Sequence, residues 1–205
     1  MNKLFKFDNK LTRLIGKLAD LMLLQLLTLL CCLPIITIGA SLTAMHKILL
    51  QLRRNEEGSI VKGFFRAFRS NLRQGILIWI FYILLFLFLY LDQTLLSSVS
   101  SNFPVQALHY LLTIIVVLAL MSLNWAFVIL SRYQNSLWGT LRSAFLVGIA
   151  HPLHSLAMTA LMLLPWGALL LSYRTVPFVV LLGLTLPGYL QAIIYSSIFD
   201  KLENS

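Results

Sequence analysis

Long apolar stretches alternate with short polar ones along the whole chain, and two of the polar ones repeat their charges at helical spacing. A helix needs roughly 20 mostly apolar residues to cross a bilayer. Five stretches meet or approach that length: 21–50, 74–91, 105–130, 153–173 and 176–199. Their apolar character is continuous, whereas the strands of a membrane barrel would alternate in short segments. The pattern predicts an all-α polytopic membrane bundle, with 1–205 as a single membrane domain.

The polar stretches predict helices of another kind. Over 1–20, Lys3, Lys6, Lys10, Arg13 and Lys17 recur every three or four residues, with Leu4, Leu11, Leu14, Ile15 and Leu18 on the other face. Over 59–73, Ile60, Phe64, Phe68 and Leu72 lie four apart, joined by Val61 and Phe65, while Lys62, Arg66, Arg69 and Arg73 fill the opposite face. Both read as amphipathic helices lying in the headgroup region. Lys62, Phe64, Phe65, Arg66, Phe68, Arg69 and Arg73 form a candidate surface for lipid or for a partner such as a transporter ATPase. A weaker version of the same pattern occupies 136–149. Ile129–Ser136 also lines up with Ile198–Ser205, as in a repeated hairpin, although apolar hairpins resemble one another by composition alone.

The first apolar stretch carries its own interruption. Pro34 cannot donate a backbone hydrogen bond, and Gly39 frees the backbone five residues later. The run Leu33–Gly39 therefore reads as a break between two half-helices, which has to pack against protein or line a cavity. The alternative is one proline-kinked span, which would carry the N-terminus to the outer side. The stretch is too long for a cleaved signal and ends in no small-x-small site, so it reads as retained.

Charge settles orientation. All but four of the 16 Lys and Arg residues precede residue 74, against seven Asp and Glu. Cations gather on cytoplasmic loops. With 47–73 inside, the cation-free loop 92–104 falls outside, Arg132 and Arg142 inside, and the C-terminus inside; Arg174 alone falls on the outer side. Composition then closes off other classes. The chain is 59% hydrophobic and 11% charged, too apolar for a soluble globule and too poor in charge to coat one. The net charge of +9 has no nucleic-acid module to serve it, so no nucleic-acid partner is expected; the bilayer is.

Candidate chemistry is sparse. The cores of all five stretches lack Asp, Glu, Lys and Arg, which argues against a proton path. Buried polarity is limited to groups such as Gln25, Thr28, Asn124 and Gln191. Asn124 and Gln191 can hold a hydroxylated solute or hydrogen-bond between helices. Pro34, Thr37 and Gly39 are the other candidates for a solute site, since half-helix ends expose backbone groups. His151 and His154 stand three apart, but no carboxylate or cysteine is near in sequence to complete a metal site, and Pro152 suits a helix start. Adjacent Cys31 and Cys32 read as small apolar residues. No catalytic residue, metal or cofactor is expected.

The stretch Leu33–Ala40 followed by Ala44 resembles the LPIxTIGxxxxA segment of the YesL-like bacterial membrane proteins, a family defined by a domain of unknown function. Arg54–Gly58 and Phe64–Asn71 continue the likeness in order, and the rest of the chain is similar in layout. Where the family runs into aromatic residues, this chain has Met45 and His46. The resemblance implies a bacterial plasma-membrane protein associated with carbohydrate uptake, because such members are often encoded beside carbohydrate ABC importers. It implies no catalytic residues. Two expectations follow: an accessory or scaffold component acting with ABC importer subunits, or a facilitator of a small polar solute such as a sugar.

Overall fold

In the computed structural model the chain is described over residues 2–54, 56, 58–97, 103–133 and 135–203. These residues form eight α-helices, two short 3-10 turns (Ile35–Thr37 and Tyr173–Thr175) and no strand: α1 (Asn2–Cys32), α2 (Ile38–Arg54), α3 (Ile60–Ser97), α4 (Phe103–Arg132), α5 (Leu137–Ala150), α6 (Pro152–Leu171), α7 (Val176–Leu182) and α8 (Thr185–Glu203). Five stretches are long and apolar enough to cross a membrane: Leu14–Cys32, Ile35–Arg54, Ile60–Leu96, Val105–Arg132 and Pro152–Leu171. A bent pair, Tyr173–Leu182 with Thr185–Phe199, passes the same test only when its two helices are taken together, as a broken span or a re-entrant loop. The fold is thus the all-α membrane bundle that the hydropathy pattern predicts, but its segments divide differently.

The first difference is at the N-terminus. Nothing between Leu18 and Leu24 breaks a helix, so α1 runs without interruption through residues 20 and 21 and joins the amphipathic start to the apolar stretch. The side chains of residues 1–11 and 13, and with them the face drawn through Leu4 and Leu11, lie outside the described residues. A 3-10 turn at Ile35–Thr37 then reverses the chain. Ser41 Oγ donates to the Thr28 carbonyl at 2.9 Å, and at the far end residues 16–23 line one cleft with residues 48–52. The two arms are antiparallel, so the described start of α1 and Arg54 come to the same end. A single kinked span would have carried them to opposite ends.

The second difference is α3. Gly75 sits inside the helix without interrupting it, so 60–73 and 74–91 belong to one helix of 38 residues, Ile60–Ser97. At 1.5 Å per residue that is about 57 Å, well beyond the roughly 30 Å of hydrocarbon. Phe64, Ala67, Asn71, Gly75, Ile78, Tyr82 and Leu89 form its buried stripe, with most steps of three or four residues. The stripe meets two partners in turn. Its first half lies along α2, with Gly63 against Ile48 and Gly75 against Gly39 and Ala40. Its second half lies along α4: Gln74 Nε2 donates to the Asn135 carbonyl just past α4 at 2.9 Å, the Tyr82 and Ser122 hydroxyls are 2.6 Å apart, and Gln93 Nε2 donates to Thr113 Oγ1 at 3.2 Å. The change of partner falls where the cations end, at Arg73.

Small residues set the tightest crossings. A Cβ on Gly75 would come within 2.7 Å of the Ala40 backbone, and one on Gly39 within 2.8 Å of Trp79 Cβ. Without a hydrophobic driving force in lipid, such close approach is how packing and weak hydrogen bonds hold helices together. The same device recurs on α5, where Thr140, Ala144 and Gly148, four apart, are buried. The rest of α5 carries exposed Trp138, Phe145, Leu146 and Ile149. Hence 136–149, expected as a second surface helix, packs one face against α4. Residues 121–131 of α4 are all buried, and Trp125, Phe127, Phe64 and Tyr195 are the largest side chains of the core.

The third difference is in the last span. Residues 176–199 are not one helix: α7 and α8 meet at Gly183–Leu184 with a bend of 54°.

Candidate functional site

The basic face of α3 is the clearest exposed feature. Lys62, Arg66, Arg69 and Arg73 are all exposed, at intervals of three or four residues on a helix that continues into a span. Of the aromatic residues grouped with them in the sequence, the structure separates three fates. Phe64 is fully buried, stacked on Phe68 with ring centroids 6.2 Å apart. Phe68 is half-buried, and Phe65 is 43% exposed. Exposed Val61 lies one turn from Phe65. The outward surface is therefore four cations with Val61 and Phe65, and Phe64 is a core residue, covered in the bundle that α2 completes.

A cleft of about 910 Å³ adjoins this face. Lys17 and Asp20 of α1, Gln51 of α2, Glu56, and Lys62 and Arg66 of α3 line it. Its charges are mixed, three cations and two carboxylates. No sequence spacing could have revealed it, because the residues come from four separate stretches that meet only when the α1–α2 hairpin closes.

The helix break near Pro34 has a different character from the one expected of a solute site. Thr37 Oγ1 reaches the Cys31 carbonyl at 2.6 Å and the Pro34 carbonyl at 2.8 Å, and Trp79 Nε1 donates to the Ile35 carbonyl at 2.9 Å. The Pro34 and Ile35 carbonyls also accept the backbone amides of Thr37 and Ile38, so these side chains supplement a turn that already closes on its own backbone. Pro34 itself is exposed, and the space beside Gly39 is filled by Gly75.

Gln191 and Asn124 are both buried but differ in pairing. Gln191 Nε2 donates to the Met158 carbonyl at 2.7 Å, joining α8 to α6. Asn124 Nδ2 has no partner among the described residues. The structure does not bring either to the Pro34 turn in any described hydrogen bond. The polar residue that sequence reasoning undervalued is Gln25. From α1 its Nε2 donates to the Val179 carbonyl at 3.3 Å, and its Oε1 accepts from the Leu184 and Thr185 amides, both at 3.0 Å. One side chain thus completes the C-terminal end of α7 and the N-terminal end of α8. Its only sequence signal is an amide within an apolar run.

A second cleft, about 760 Å³, opens between α3, α4 and α5. Among the described residues no three His, Cys, Asp or Glu side chains gather to hold a metal ion. His151 and His154 meet edge to face, ring centroids 6.0 Å apart.

Fold and surface together define a multi-pass, all-α membrane protein whose exposed cations are concentrated on one end of one long helix. Over residues 18–93 the chain matches the family described as protein of unknown function, DUF624. That stretch starts within α1 and ends within α3, so it takes in Gln25, the turn at Ile35–Thr37, the Gly39–Gly75 crossing and the basic face. No curated protein and no solved structure matches the chain.

Proposed function

We propose that the protein is an accessory or scaffold component of carbohydrate uptake, docking a subunit of an ABC importer at the cytoplasmic side of a bacterial plasma membrane. The observation that carries this reading is the row Lys62, Arg66, Arg69 and Arg73 with exposed Val61 and Phe65, held on a helix that continues unbroken into an apolar stretch long enough to span. A partner with an acidic rim and an apolar centre fits such a row. The adjoining cleft with Asp20 and Glu56 offers a place for a partner's side chain. The likeness to YesL-like proteins supplies the connection to carbohydrate importers. The same reading assigns the protein no enzymatic activity.

Co-purification of the membrane-extracted protein with importer subunits tests the proposal. Charge reversal at Arg66, Arg69 and Arg73 is expected to weaken the association by about tenfold or more, with folding checked by thermal unfolding in detergent. Phe64 is left unchanged, because its removal would damage the core. Failure of the wild-type protein to associate, or association indifferent to the reversal, overturns the reading. A facilitator of a small polar solute draws less support. Thr37 and Gln191 have partners and Gly39 is closed. Sugar flux in sealed proteoliposomes would restore that alternative.

A further inference from the structure

The cleft between α3, α4 and α5 is built unlike the rest of the lipid-facing surface. Phe81 and Leu85 of α3, Ile115 and Leu118 of α4, and Phe145 of α5 line its walls. Trp138 and Arg142 stand on α5 beside them. Arg142 is the sole charge of α5, is exposed, and has no hydrogen bond or ion pair among the described residues. Tyr82 and Ser122 also line the cleft. Their mutual hydrogen bond uses one of their two hydroxyl protons, which leaves the other for an oxygen of a guest.

The cleft has a polar and an apolar end, and α3 sets the direction. Gln74 holds the carbonyl of Asn135, so the turn that leads into α5 sits beside the junction where α3 passes from Arg73 into its apolar half. Trp138 and Arg142 follow that turn by one or two helical turns, nearest the junction where α3 leaves its charged half, which its hydropathy marks as the boundary of the apolar layer. Phe81 and Leu85 lie further along the apolar half, and Ile115 and Leu118 face them from α4. Trp and Arg are the side chains that settle at that boundary, Arg because its long stem lets the guanidinium reach the polar layer.

We propose that this cleft is a binding site for one anionic phospholipid of the surrounding bilayer. Its phosphate pairs with Arg142, its glycerol–ester region faces Tyr82 and Ser122, and one acyl chain lies along Leu85, Ile115 and Leu118. An apolar channel alone would accept any hydrocarbon. The guanidinium at its mouth, free of hydrogen bonds and ion pairs among the described residues, is what selects negative charge, and the hydroxyl pair part-way along suits an ester rather than a bare chain. This site is separate from the basic face of α3 and does not depend on importer docking.

The test uses the full-length protein in phosphatidylcholine vesicles containing phosphatidylglycerol or phosphatidylcholine with brominated acyl chains. Bromine quenches tryptophan at short range, and the difference between wild type and Trp138→Phe isolates Trp138. Brominated phosphatidylglycerol is expected to quench Trp138 half-maximally at about fivefold lower mole fraction than brominated phosphatidylcholine. Arg142→Gln should abolish that preference and Arg142→Lys should keep it. Ala119→Phe, which fills the cleft without touching the charge, should reduce quenching by both lipids. Equal quenching by the two lipids in wild type overturns the proposal. So does a preference that survives Arg142→Gln, or quenching indifferent to Ala119→Phe in a protein that still unfolds cooperatively.

Discussion

The chain interrupts two of its apolar stretches, at Leu33–Thr37 and at Gly183–Leu184, and the two interruptions are completed by opposite means. The first is largely local. Thr37 turns back on the carbonyls of Cys31 and Pro34, and the neighbouring α3 adds the indole of Trp79. Leu33, Pro34, Ile35 and Ile36 remain exposed around it. The second is completed from a distance: Gln25, between 154 and 160 residues away, serves both half-helices with both ends of one amide. By helical rise, Gln25 lies about 10 Å along α1 from the hairpin turn. The first break is served by its own backbone amides and nearby side chains, while the break inside the bundle takes a dedicated polar group from another helix. The comparison teaches that the first break shapes the chain's path and the second depends on tertiary packing for its existence.

The largest effect is expected at the crossing beside the first break. Gly75→Val would drive a branched side chain into the Ala40 backbone and separate α2 from α3, costing about 3 kcal/mol or more. Thermal unfolding in detergent would show it, and a neutral result would mean the crossing is looser than the structure describes. Next comes Gln25→Leu, which leaves the Leu184 and Thr185 amides without partners, the Val179 carbonyl keeping the Gly183 amide, at a cost of about 2 kcal/mol or more. Amide hydrogen exchange should accelerate at residues 183–186 and stay unchanged at 33–39. If both breaks loosen together, they are one cooperative unit and the contrast fails. Trp79→Phe removes one hydrogen bond from the exposed break and should cost about 1 kcal/mol, read by the same unfolding assay. Thr37→Val should cost least, about 0.5 kcal/mol, because the Pro34 carbonyl keeps the Thr37 amide; a larger loss would make the first break as dependent on its side chains as the second.

These differences also explain what the sequence could disclose. The break at Pro34–Gly39 was legible because proline's missing amide is a local fact. The break at Gly183 was concealed: Gly183 and Pro187 are there to be read, but the apolar run around them is long enough for one span, and the group that stabilises the bend is 158 residues upstream. The helical character of every span was legible from hydropathy. The joining of 59–73 to 74–91 was not, because a change from amphipathic to wholly apolar looks like a boundary, although nothing in it stops a helix. Phe64 was misplaced on the surface for a related reason. A stripe drawn every four residues through Ile60, Phe64, Phe68 and Leu72 drifts from the 3.6-residue repeat. The buried line runs instead through Phe64, Ala67, Asn71 and Gly75, the face that α2 covers. The cations facing outward were readable as a set, while the cleft beside them required the hairpin to fold.

The unbroken length of α3 gives the molecule a lever. Its apolar half is gripped by α4 and its charged half extends past the Gly75 crossing by about 20 Å along the axis. A helix in a bilayer answers a change of thickness by tilting. A tilt of roughly 10° about that crossing would swing the far cations sideways by about 4 Å, by simple geometry on that length. A change of bilayer thickness at one end of the rod would thereby displace positive charge at the other, together with α2 packed along it.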